Sequence, residues 1–146
     1  MQKEIDFCLT QILRIATTLV PEKNWNLLRI EGYIVGSVTE TRSWYTISNN
    51  DEEIEYSTFD LDYINEDSDN NAIGNFLEQI RELTYDATRG AWYTIEIRFY
   101  KDGRTPTVRY DYYNQPAFEE PIPIALYKQD LKVYPRPAKS IPEWLL

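Results

Sequence analysis

Residues 51–69 hold Asp51, Glu52, Glu53, Glu55, Asp60, Asp62, Glu66, Asp67 and Asp69, and they contain neither lysine nor arginine. Carboxylates at this density support three kinds of chemistry. They coordinate hard cations, they act in pairs on a bond, or they meet the cationic groups of a partner. The spacings Asp60-x-Asp62 and Asp67-x-Asp69 suggest calcium. A calcium loop, however, places glycine at its sixth position and a bidentate glutamate at its twelfth, and neither run does so. A glycosidase needs two carboxylates about 5–9.5 Å apart in a cleft, a relation that spacing along a chain does not establish. For an interface, Tyr56, Phe59 and Tyr63 interleave with the acids, so that rings supply contact area while carboxylates pair with arginine or lysine. The candidate partner-binding set is therefore Asp51, Glu52, Glu53, Glu55, Tyr56, Asp60, Asp62, Tyr63, Asp67 and Asp69.

The chain has 146 residues and a net charge of −9, from 15 basic and 24 acidic side chains. Outside the block the acids also number 15, so the rest of the chain is neutral and the acidity is local. Evenly spread charge would serve solubility alone, and a solvated face is the plain alternative for this block too. Concentrated charge repels itself and projects a directional field. Counterion release cannot drive such a surface onto phosphates, so nucleic acid and anionic lipid are disfavoured and a basic protein is favoured.

There is no histidine, and Cys8 is the single cysteine. The usual proton shuttle and the commonest metal ligand are thus missing, which excludes Ser/Cys–His catalysis and ordinary zinc or haem sites. No cofactor is implied. Cys8 has no partner for an internal disulfide and lies on an apolar stripe, where a small core residue is expected rather than a reactive thiol. Glu4 and Asp6 stand where a signal peptide carries positive charge, and no run approaches the ~20 apolar residues of a membrane span. The expectation is a cytoplasmic protein.

The elements that must position the acids follow from periodicity. Ile5, Cys8, Leu9, Ile12, Ile15, Ala16 and Leu19 recur at helical spacing between Lys3 and Leu19, and Pro21 ends that helix. Alternation between Asn26 and Ser48 predicts two strands joined by a hairpin at Thr39–Thr41, with Gly32 and Gly36 marking a bulge or close packing under a helix. A third strand is expected from Ile54 to Leu61, and a second helix from about Ala72 to Thr88 with Gly90 as its C-cap. Residues 91–100 and 105–112 alternate around the turn Lys101-Asp102-Gly103-Arg104 and predict a hairpin. A short helix from Ile124 to Val133 and a proline-rich, apolar tail that docks on the body complete the chain. Trp44 and Trp92 are expected in the core. The result is one α+β domain, residues 1–146: an antiparallel sheet of about five strands with two main helices, in the order α-β-β-β-α-β-β.

With these elements in place, the chain resembles the YezG-like immunity proteins, small antitoxins of bacterial polymorphic toxin systems. The resemblance lies in the N-terminal amphipathic helix and strand meander, Trp92 opening a strand, Lys101-Asp102-Gly103, Arg109-Tyr110-Asp111-Tyr112, Tyr134-Pro135-Arg136 and Ile141-Pro142-Glu143-Trp144. It implies helices packed on an antiparallel sheet, no enzymatic activity, and tight 1:1 binding to a cognate toxin domain, commonly a nuclease. The acidic contact set is not implied by the resemblance and rests on charge. Asp111 and Tyr112 are expected to serve packing. The competing classes are a carboxylate-based or metal-dependent hydrolase, and an acidic adaptor or nucleic-acid mimic that binds another basic protein.

Overall fold

The computed structural model describes residues 1–48, 50–58 and 72–146. Helix α1 (Gln2–Leu19) buries Ile5, Cys8, Ile12 and Ala16, the stripe its spacing predicts. Strands β1 (Trp25–Val35) and β2 (Val38–Ile47) form the long hairpin. Its turn is Gly36-Ser37, not Thr39–Thr41: Ile34 faces Thr39, Tyr33 faces Glu40 and Gly32 faces Thr41 within the ladder. A two-residue turn needs positive φ, and Gly36 supplies it at 56°. Strand β3 is shorter than expected, Ile54–Tyr56. Ser57 and Thr58 continue without strand pairing, and the remainder of the expected strand lies outside the described residues.

Helix α2 (Ala72–Leu83) stops before the expected Thr88. The cause is Asp86, whose carboxylate accepts the Thr88 backbone N–H at 2.7 Å and the Thr88 hydroxyl at 2.6 Å. These local bonds close a turn that competes with the helix. Gly90, with φ 91°, ends that turn rather than capping the helix, and its bare Cα lies against the Arg136 guanidinium. Strands β4 (Thr94–Tyr100) and β5 (Thr107–Asp111) make the second hairpin, and α3 (Ile124–Val133) precedes a tail with two short 3-10 turns.

The five strands run β3-β2-β1-β4-β5, each antiparallel to its neighbours, so the fold is α+β with the element order the sequence predicts. Only one face is fully covered by helices. Leu28, Ile30, Ile95, Ile97 and Phe99 meet Ile12 and Ala16 of α1 and Ile73, Leu77 and Ile80 of α2 in one core. Gly32 permits this approach, because a Cβ there would collide with the Leu77 side chain. Trp92 is fully buried in the same core, as expected.

A second, smaller core of Val35, Tyr93, Tyr127 and Leu145 anchors the C-terminal segment. Two buried arginines hold it. Arg81 forms a bidentate pair with Asp130 at 2.7 and 2.8 Å and donates to the Trp92 carbonyl, while Asp130 also accepts the Gly36 N–H at 2.9 Å. Arg136 has no carboxylate partner among the described residues and donates to the carbonyls of Tyr112, Ser140 and Ala91 at 2.8–2.9 Å. The tail therefore docks, as its composition predicts.

With Arg81 and Asp130 only 2% and 3% exposed, removing one charge strands the other in the core. Asp130→Ala is expected to cost about 3–5 kcal/mol, and replacing both residues by apolar ones of similar size far less. Urea unfolding of the single and double variants measures the difference.

Candidate functional site

The face of the sheet opposite the helices carries charge in rows. Glu55 on β3 faces Trp44 on β2, then Arg29 on β1, Arg98 on β4 and Thr107 on β5. The next row is Arg42, Glu31, Glu96 and Arg109. In the third, Tyr33 lies against Phe118 at 5.8 Å and Glu40 accepts the Glu119 N–H, so the C-terminal segment covers that end of the face. Among the described residues, no segment covers the opposite end, called the open end below.

Arg29 organises the open end. Its guanidinium lies 3.9 Å above the Trp44 ring, donates to Glu53 at 2.6 and 3.0 Å, and also bonds Glu31. Partial burial disfavours its charge, but bonding to Glu53 and the fields of Glu31 and Glu53 outweigh this and raise its pKa. Arg42 also lies near Trp44, 5.1 Å from the ring centroid, and forms a bidentate pair with Glu55 at 2.9 and 3.0 Å. Trp44 is thus half-buried in contact with two guanidiniums on the open face, contrary to the core placement expected for it. Cation–π contact on a pleated, one-sided sheet stabilises an indole that alternation places on the wet side.

The candidate acids fare differently from one another. Asp51 and Glu52 are exposed, and neither forms an ion pair among the described residues. Glu53 and Glu55 are exposed at the same edge but paired to Arg29 and Arg42. Tyr56 turns the other way: its ring meets Tyr45 at 5.5 Å and its hydroxyl donates to the Ala16 carbonyl at 3.1 Å, so it ties β3 to α1 and offers no ring to a partner. Burial raises its pKa. Asp60, Asp62, Tyr63, Asp67 and Asp69 lie outside the described residues.

Two depressions mark the open face. One, of about 310 Å³, is lined by Asn26, Leu27, Thr46, Asp51, Glu53, Arg98, Tyr100 and Arg104. The other, of about 240 Å³, lies toward β5 and includes Glu31, Glu96, Arg109, Asp111 and Tyr113. Asp111 accepts the N–H groups of Tyr113 and Asn114, a turn-forming duty that agrees with the structural role expected of it. Larger hollows of about 570 and 690 Å³ border α2 on the helix side, away from Asp51, Glu52, Glu53 and Glu55. The sequence pointed to the acids but not to Trp44, Arg29 or the Leu27–Tyr100 depression. The signal that finds them is the odd-numbered alternation of β1 read together with its register.

No protein-family model matches the chain, and no curated protein matches it. Among the described residues, no group of three or more aspartate, glutamate or cysteine side chains is arranged to hold a metal ion. None of the described helices is long and apolar enough to cross a membrane.

Hydrogen bonding from Arg42 lowers the Glu55 pKa. A depressed folded-state value contributes stability that is present above the usual glutamate pKa and is lost as pH falls through the lower, folded value. The pair is exposed, so the contribution is at most about 1 kcal/mol. Glu55→Gln should remove this part of the acid dependence, which unfolding curves between neutral and strongly acidic pH detect as a flatter profile than the wild type's.

Proposed function

We propose that the protein is a binding module of the immunity type, similar to YezG-like antitoxins, which neutralises a cognate toxin domain by covering its basic active or substrate-binding surface. The observation that carries this is Asp51 at the rim of the Leu27–Tyr100 depression, with Glu52 next to it in the chain, both exposed and without an ion pair among the described residues. Tryptophan, tyrosine and arginine are the residues that dominate protein interfaces, and free carboxylates at their border attract a cationic surface from a distance. A nuclease presents cationic groups to phosphate, so the same groups that hold its substrate would meet these acids. Occupying them excludes the substrate without any chemistry by the inhibitor. The expected assembly is a 1:1 heterodimer in the cytoplasm.

The acids are not equivalent in this role. Glu53 and Glu55 hold Arg29 and Arg42 in place, so reversing them would disturb the face itself. Asp51 and Glu52 report on the partner alone. Asp51→Lys/Glu52→Lys is expected to slow association with the toxin domain about tenfold at low salt. The effect shrinks as salt rises, and the unfolding midpoint stays at or above the wild type's. Stopped-flow association and thermal unfolding measure both. Failure of the wild type to bind or protect against the toxin domain encoded beside it would overturn the proposal.

A further inference from the structure

We propose that the open face docks a partner segment of mixed charge, with a lysine or arginine directed to Asp51 and Glu52 and a carboxylate directed to Arg98 and Arg104. This rests on the immunity reading and narrows it, because a purely cationic surface is the simpler expectation from the acidic block. The Leu27–Tyr100 depression has walls of opposite sign. Asp51 and Glu53 stand on its β3 side, Arg98 projects from β4, and Arg104 lies in the turn between β4 and β5.

Each arginine has a local partner, Glu96 at 2.7 Å for Arg98 and Asp102 at 2.6 Å for Arg104, but both side chains remain largely open, at 42% and 65% exposed. Exposed pairs of this kind are worth little and are readily exchanged for a ligand's carboxylate. Arg109, one strand further, is exposed and forms no ion pair among the described residues, which strengthens the positive side. Leu27 and Tyr100, both partly exposed, also line the depression, and the Arg104 guanidinium lies 4.4 Å from the Tyr100 ring centroid. At about 310 Å³ the depression is at the small end of ligand clefts, which run from roughly 300 to 1,000 Å³. It suits one or two side chains of an extended segment. Opposed signs across such a width fix the direction in which that segment lies, which is how charge provides specificity at an interface.

The test uses the full chain and a catalytically inactive form of the toxin domain encoded beside it. Arg98→Glu/Arg104→Glu makes this side of the face strongly acidic. A mixed-charge partner then binds at least tenfold more weakly, and Arg98→Gln/Arg104→Gln gives an intermediate loss. Thermal unfolding of both variants confirms that they fold. A uniformly basic partner would instead bind the Glu variant more tightly, and that result overturns the inference, as does unchanged affinity in both variants. Absence of wild-type binding overturns the immunity reading and this inference with it. Weakening by the arginine variants together with weakening by Asp51→Lys/Glu52→Lys supports both.

Discussion

The Arg29 guanidinium is the point at which the open face becomes a defined surface. It lies against Trp44, bonds Glu31 on its own strand and reaches Glu53 on the chain entering β3. Each contact solves a problem left by the others. The indole needs cover because the helices occupy the other face, Glu53 needs a cation because the acidic block contains none, and the cation needs acceptors because it is only 13% exposed. With Arg42 also near the ring, a half-wet sheet face acquires a defined side-chain arrangement.

A related constraint governs the C-terminal third. The segment from Phe118 onward packs Phe118, Ile122, Leu131, Ile141 and Trp144 against the second core, while α3 itself buries only Tyr127 and Asp130. Polar contacts add direction to that apolar anchor. Arg81 from α2 and Arg136 from the tail satisfy backbone carbonyls at Trp92, Ala91, Tyr112 and Ser140, which binds helix, strand and tail into one polar network around Tyr93. Buried networks of this sort contribute little net stability, yet they penalise any other arrangement severely. By holding the Phe118 end over Tyr33, the network also sets where the open face stops.

Much of the architecture was legible in the residues because periodicity reports one-sided burial. Helix α1, the β4–β5 hairpin and α3 lie within three residues of where spacing placed them. The misses share a cause. The Gly36-Ser37 turn, the early end of α2 and the outward Trp44 are each decided by a partner or a dihedral rather than by alternation: a positive φ, the Asp86 carboxylate on Thr88, two guanidiniums on an indole. The pairing of the acids was hidden for the same reason. Arg29 and Glu53 are 24 residues apart and Arg81 and Asp130 are 49 apart, and only the tertiary fold brings such residues together, through the sheet register in the first case and the docking of the C-terminal segment in the second.

That register changes what the acidic block can do. Read along the chain, nine carboxylates without a cation form a uniform negative field. In space, Arg42 neutralises Glu55, and Arg29 is shared between Glu53 and Glu31, so among the described acids in positions 51–55 the unpaired charge sits on Asp51 and Glu52. Among the described residues, long-range steering by this edge therefore comes mainly from Asp51 and Glu52, while Glu53 and Glu55 act chiefly at contact distance, through the arrangement of Arg29, Trp44 and Arg42. Attraction and recognition are thus divided between neighbouring residues of one edge. Free carboxylates set how often a cationic partner arrives, and paired ones set the shape of the surface on which it must fit.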